Sequence, residues 1–333
     1  MNELCIGLIG GTGLGDALGA ESGQRHEVET PFGRPSDVIV ETQWAGVRVL
    51  ILSRHGAGHL LNPSQVNYRA NIFALKQLGC THLIASGAVG SLRDEFKPKD
   101  LVVPDQVIDR TYRRAGSFFE KSAVHVEFAE PFDGVMRQVV LEASKGSGEA
   151  KAQSQETPEE PSSQPSPGVP GEGVRLEPMR VHDRGCYVCM EGPAFSSRAE
   201  SLMHRLWGGD LIGMTAMPEA KLAREAEIPY ALVALVTDYD CWKLKPGSSE
   251  AQDPHVLLKE ILGNLKEATA NAVSLIRRTV ELIANQRDRL MTCQSLKALE
   301  LAVWSDKKRI SSDEVEKLRP LWGKYFEDVT HET

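Results

Sequence analysis

The sequence predicts an α/β domain built on a mixed or mostly parallel sheet covered by helices on both faces. Three observations carry this: strand-like and helix-like runs alternate, apolar strands end in glycine-rich turns, and 41% hydrophobic with 25% charged residues are ordinary globular values. At 333 residues the chain can bury a sizeable core. A formal net charge of −8 argues against nucleic acid or an anionic membrane as the main partner, so an anion site has to be made locally. The N-terminus has no basic stretch before an apolar one, and no apolar run reaches membrane-spanning length; a soluble, cytoplasmic protein is expected.

Leu4 to Ile9 reads as a strand entering the turn Gly10-Gly11-Thr12-Gly13. Val47 to Leu52 is a second strand, closed by Ser53-Arg54-His55-Gly56. Gln65 to Leu78 has helical periodicity, and Gly79 ends it. His82 to Gly90 is a third strand with its own glycine-rich exit, and Leu101 to Pro104 and Gln106 to Ile108 continue the sheet, with Pro104 at a bulge or strand end. From about 145 to 177 Gly, Ser, Gln, Glu and Pro dominate, which describes a disordered insertion, because too little apolar surface is present to offset the entropy of ordering. Strand-like sequence resumes at Gly185 to Met190, followed by a helix from Ser197 to Trp207 and a short strand at Leu211-Ile212. A helix from Pro218 to Ala226 has Thr215 upstream as a possible cap. The longest apolar run, Tyr230 to Thr237, is a buried strand, and a long amphipathic helix runs from Asp253 to Ala284. The whole is read as one domain, 1–284, with a peripheral helical extension, 285–333.

Six cysteines, at 5, 80, 186, 189, 241 and 293, lie mostly inside apolar segments and are read as buried thiols. Cys186 and Cys189 form a C-x-x-C within a strand, where residues three apart face opposite ways, and no second pair completes a zinc site; no metal is expected.

The chemistry gathers at strand exits. Two acids, Asp238 and Asp240, stand at the end of the longest strand and share a face, being two apart. Ligands of parallel α/β sheets bind at that edge, so the pair suits a base reader, a metal site or an acid–base couple. Gly10, Gly11 and Gly13 let backbone N–H groups approach an anion, with the Thr12 hydroxyl beside them. The dinucleotide fingerprint is not met, since Asp16 stands where it needs glycine, and the P-loop lysine is missing; this disfavours a nicotinamide-dependent dehydrogenase. Arg54 and His55 add a fixed cation and an imidazole donor at the second exit, with His59 close by, and Gly87 to Ser91 offer more N–H groups at the third. Together these loops suit free phosphate. Phe195 and Ser196, delivered to a loop by Pro193, suit stacking on a planar ligand.

Taken in order, Ile6-Gly-Leu-Ile-Gly-Gly-Thr-Gly13, Pro31-Phe-Gly-Arg-Pro-Ser-Asp37, Arg54-His-Gly56, Asn67-Tyr-Arg-Ala-Asn71, Glu191-Gly-Pro-Ala-Phe-Ser-Ser-Arg-Ala-Glu200, Met214-Thr215 and Thr237-Asp-Tyr-Asp-Cys-Trp242 closely resemble the methylthioadenosine phosphorylases of the trimeric purine nucleoside phosphorylase group. The resemblance runs from about residue 4 to about 284. It implies a central mixed, partly barrel-like sheet, a homotrimer with sites at subunit interfaces, and reversible phosphorolysis of methylthioadenosine to adenine and 5-methylthioribose 1-phosphate. Inorganic phosphate is then a co-substrate and no cofactor is used. By position it implies phosphate on Gly10, Thr12, Arg54, His55, Ala88 and Thr215, ribose on Met214, and the purine on Phe195, Ser196, Asp238 and Asp240. Asp238 serves purine N7 as the catalytic acid, and Asp240 accepts from the 6-amino group. The 5′ end falls to His125, lent by the adjacent subunit, and to Val256, Leu258, Ile261 and Leu262. Two positions depart from the pattern: Gly87, where some members have threonine, and Gly213, where some have a polar residue. The competing readings are a phosphorylase for 6-oxopurine nucleosides or methylthioinosine, and a nucleoside-binding protein that has lost catalysis.

Overall fold

The computed structural model describes residues 3–11, 18, 23–145, 180–243 and 254–327, the side chains of 254–258 excepted. The proposed insertion at 145–177 lies almost wholly outside them.

One eleven-stranded mixed sheet organises these residues. β1 (Cys5–Gly10) runs parallel to β4 (Val47–Ser53) on one side and to β5 (His82–Ser91) on the other. Beyond β4 lie β3 (Ile39–Trp44) and β2 (Gln24–His26), both antiparallel. β5 is where the sheet forks. One arm leads through β10 (Leu211–Gly213) and β9 (Cys186–Met190) to β7 (Gln106–Arg110). The other leads through β11 (Tyr230–Tyr239) and β6 (Leu101–Val102) to β8 (Val181–His182). The arms do not pair with each other among the described residues, so the barrel is incomplete.

Alternation along the strands divides the interior into two cores. Tyr230, Leu232, Ala234 and Val236 of β11 face one, with α1 (Tyr68–Gln77) and α4 (Ala216–Glu225) packed over it. Ala231, Val233 and Leu235 face the other, beneath α2 (Gly134–Lys145) and α5 (Pro254–Ala284). Burial on both faces explains why this strand is apolar without interruption. Near its end the pairing slips: Val236 sits opposite Val89 but Asp238 opposite Gly90, so Thr237 is an extra residue, a β-bulge.

Two expectations change. Residues 285–327 are not a peripheral extension: Leu299, Leu318, Leu321 and Trp322 are fully buried in the first core, and Leu290 in the second. Their turns are short and irregular, so no helical period announces the buried face. Thr215 does stand just before α4, but its side chain makes no capping bond, because Met217 is extended (φ −119°, ψ 138°) and the first turn is irregular. β2, β3, β8 and α2 are additions to the elements expected from sequence, although Asp133 caps α2 through the Val135 and Met136 N–H groups at 3.0 and 3.2 Å. Five of the cysteines are buried or half-buried, but Cys241 is exposed.

Candidate active site

The exits of β1, β4, β5 and β11 meet at one cavity of about 500 Å³. Its lining includes Arg54, His55, Ala88, Thr215, Met214, Phe195, Ser196, Asp238, Asp240 and Ile261, residues scattered over more than two hundred positions of chain. Gly10 lies just behind: its carbonyl accepts the Arg54 N–H at 3.0 Å, and Gly11 forms the wall itself. Thr12 is outside the described residues, as are the side chains of Val256 and Leu258. Leu262 does not reach the cavity: it is 55% exposed, and Leu265, one turn from Ile261 on the same helix face, lines the wall instead. His125 also lies elsewhere, exposed, with its ring edge-on to Trp304 at 4.6 Å.

Arg54 is 1% exposed and fully engaged on its inner side. Nε and Nη2 donate to the two oxygens of Glu219 at 2.7 and 2.9 Å, and Nη1 donates to Ser86 O at 2.8 Å. Burial opposes its charge, but the Glu219 carboxylate more than offsets this and raises the pKa. Of the five N–H donors of a guanidinium, those left over are available to the cavity, held rigidly. Glu219 also accepts from Tyr230 Oη at 2.9 Å. Sequence reading missed this acid, although a buried arginine requires a carboxylate partner.

His55 is not the donor its position suggested. Its Nδ1 lies 2.8 Å from Leu61 O, which can only accept, so Nδ1 carries the proton. Burial first, then the Arg54 charge, lowers its pKa to about 4, so the second nitrogen is an acceptor at neutral pH. It suits a phosphate that still bears a proton. The ring packs on His59 at 4.2 Å.

The two departures at 87 and 213 have steric causes. A Cβ on Gly213 would stand 2.0 Å from Tyr187 Oη, so the phenol fills the space of the missing side chain; that hydroxyl accepts the Thr215 N–H at 3.4 Å. A Cβ on Gly87 would meet Thr215 Oγ1 at 3.2 Å, leaving the Thr215 hydroxyl as the group presented there. Arg114, also missed in sequence, ties this loop down: buried, it donates to Met214 O and Met217 O, both at 2.6 Å, and to Glu191 O at 2.6 Å.

At the other end stand the acids. Asp238 Oδ1 accepts from Thr237 Oγ1 at 2.6 Å; burial raises its pKa, the Thr237 bond opposes this, and the Asp240 charge adds to it. Asp240 is 9% exposed, its N–H donates to Ser91 O at 3.0 Å, and its Oδ2 is buried without a hydrogen-bond partner. Phe195, 82% exposed, stands at the mouth, and Ser196 is held by its carbonyl, which accepts from Cys241 Sγ at 3.3 Å. The arrangement thus has a buried guanidinium, an imidazole and a hydroxyl at one end, two buried carboxyls at the other, and an aromatic face between cavity and solvent. No cluster of three or more His, Cys, Asp or Glu fit for a metal ion occurs among the described residues.

Such a site on such a sheet defines a nucleoside-processing phosphorylase, and residues 5–281 match the family described as the Phosphorylase superfamily, to which the chain belongs. Within it the family is that of the S-methyl-5′-thioadenosine phosphorylases. The chain is 43% identical to the Synechocystis enzyme of that name over 323 residues, 96% of this chain and 87% of the relative. It is 42% identical to the Drosophila melanogaster enzyme over 279 residues, 82% of this chain and 86% of the relative. A methylthioadenosine phosphorylase from an antarctic soil metagenomic library superimposes with a TM-score of 0.79 at 37% identity, covering 96% of this chain and 99% of that one. The Schistosoma mansoni methylthioadenosine phosphorylase in complex with adenine gives 0.75 at 32% identity, covering 91% and 99%. Coverage of 96% carries the likeness past residue 284, the end expected from the motifs.

Proposed function

We propose that this protein catalyses the reversible phosphorolysis of S-methyl-5′-thioadenosine, giving adenine and 5-methylthioribose 1-phosphate. The observation that carries the reading is the pairing of two acids, Asp238, whose pKa burial raises, and Asp240 buried beside it, across one cavity from Arg54, His55 and Thr215. As the glycosidic C–N bond breaks, its electron pair goes to the purine and the Asp238 proton passes to N7. A phosphate oxygen then forms the new bond to the anomeric carbon. Phosphate is the nucleophile, so no covalent enzyme intermediate is needed. Asp240 favours a 6-amino purine, because a 6-oxo group would set one acceptor against another. Ile261 and Leu265 supply apolar surface suited to a methylthio group.

The same reading takes in assembly and setting. His125, exposed beside Trp304 (72% exposed) and Leu301 (88% exposed), belongs to an apolar surface suited to a second copy, and we read it as lent to the 5′ end of a neighbour's substrate in a trimer. Six free cysteines suit a reducing cytoplasm. The test is a spectrophotometric panel of methylthioadenosine, adenosine, inosine and methylthioinosine, each with and without phosphate. Phosphate-dependent release of adenine from methylthioadenosine, faster than any reaction of the 6-oxo nucleosides, is expected; equal rates on inosine would overturn the role of Asp240, and no turnover at all would overturn the reading.

A further inference from the structure

Helix α3 (Arg198–Leu206) follows directly on the cavity residues Phe195 and Ser196, and its inward side is unusual. It is a strongly amphipathic helix whose buried residues are Ser201 and His204, three apart on one face and both polar. Ser201 is 0% and His204 3% exposed. Ser201 Oγ and His204 Nδ1 are without hydrogen-bond partners, as is Asp240 Oδ2; these are three of only five such buried side-chain atoms among the described residues.

The three belong together. The Asp240 charge acts on His204 and favours its protonation; Glu200 on the same helix acts in the same sense, and Arg110 on β7 opposes them. The Ser201 hydroxyl stands near enough to the thiol of Cys241, the residue next to Asp240, to act on its pKa, though outside hydrogen-bond geometry. The helix and the acidic segment are clamped where Arg205 stacks on Trp242 at 3.5 Å, and the helix start is set by a reciprocal capping box between Ser197 and Glu200. A buried polar atom left unpaired is destabilising, and three on two segments packed together call for a partner. A single enclosed water typically makes about three hydrogen bonds, the number these three atoms leave unmade.

We propose that Ser201 and His204, through one enclosed water, hold the inner oxygen of Asp240 and so aim its outer oxygen at the 6-amino group, making them positioning residues for purine selectivity. The proposal rests on the reading of Asp240 given above. Burial, exceeding the pull of Asp240, lowers the His204 pKa, so the ring is neutral at physiological pH. A hydrophobic inner face on α3 would leave Asp240 free to turn, and the discrimination between amino and oxo purines would relax.

The experiment compares kcat/KM on methylthioadenosine with kcat/KM on methylthioinosine for the full-length protein and for Ser201→Ala, His204→Phe and His204→Asn. Wild type prefers the 6-amino substrate. Ser201→Ala and His204→Phe are expected to narrow that ratio about tenfold, the size of one charge-assisted hydrogen bond, with the KM for phosphate unchanged. His204→Asn, which keeps a polar atom near the Nδ1 position, is expected to restore most of it. A merely structural role would alter yield and melting temperature but leave the ratio alone. A ratio within twofold of wild type in Ser201→Ala and in folded His204→Phe overturns the proposal. A wild type without any 6-amino preference overturns the reading of Asp240 beneath it, which the variants alone would not reveal.

Discussion

Asp238 keeps its proton to higher pH than an exposed aspartate because burial penalises the charged form and Asp240 repels it. Two consequences pull in opposite directions. As the acid serving N7, Asp238→Asn is expected to lower kcat by about 10²–10⁴. Because the folded-state pKa is raised, the group's contribution to stability is present below the unfolded value and lost as pH rises through the folded one. The same substitution should therefore leave the melting temperature at pH 7.5 equal to or above wild type, so that a loss of kcat in a protein that melts early would contradict the assignment. Asp240→Asn exchanges an acceptor for a group that can also donate. The expected outcome is a weaker preference for methylthioadenosine over methylthioinosine, read as a ratio of kcat/KM values. Asp238, Asp240 and Arg54 stood out in the sequence because each lies just beyond or at the end of a strand, whereas Thr215 stood out as a site residue only through the family resemblance. Glu219 and Arg114 were not, since their importance lies in whom they face: a buried guanidinium and a set of loop carbonyls.

Helix α4 shows how one element serves both stability and site. It carries Glu219 beneath Arg54, and it ends at Glu225, whose Oε2 accepts the Phe118 N–H at 2.8 Å. Burial raises the Glu225 pKa to about 7, against the smaller opposing effects of the Phe118 and Ser117 bonds and the Lys221 charge. Stabilisation by the neutral acid is complete below about pH 4.5 and is lost as pH rises through about 7, a change of about 3 kcal/mol. Glu225→Gln keeps an acceptor for Phe118 without a charge to bury. It should match wild type in denaturant titrations near pH 5 and exceed it at pH 8; a difference that did not grow with pH would count against this account. Helix α5 and strand β11 were readable from their periods, whereas the short β2 and the irregular turns after residue 285 carry too few repeats for a period to show.

For the whole molecule, the chain after α5 is part of the interior. Trp322, packed on Phe119 at 4.8 Å and on Phe326 at 4.9 Å, fills the first core together with Leu318 and Leu321. Glu227, almost fully buried, receives the Leu299 N–H at 3.1 Å, the Tyr325 hydroxyl at 2.6 Å and the Lys324 ammonium. A chain stopped after Ala284 would expose that apolar surface and strand a buried carboxylate, so it is expected to be insoluble or to bind hydrophobic dyes where the full chain does not. The bulge at Thr237 carries a different kind of consequence. Upstream of it β11 is fixed on β5 by seven paired residues, Tyr230 to Val236, so most of the strand's pairing lies outside the bulge. Removing Thr237 alone would leave Asp238 opposite Gly90 but would take out the bulge that aims both acids, together with the hydroxyl that donates to Asp238 Oδ1 and the carbonyl that accepts from Asn264 Nδ2. Such a deletion should yield a folded protein with no measurable turnover: at this point a single lost codon separates the inheritance of the shape from the inheritance of the reaction.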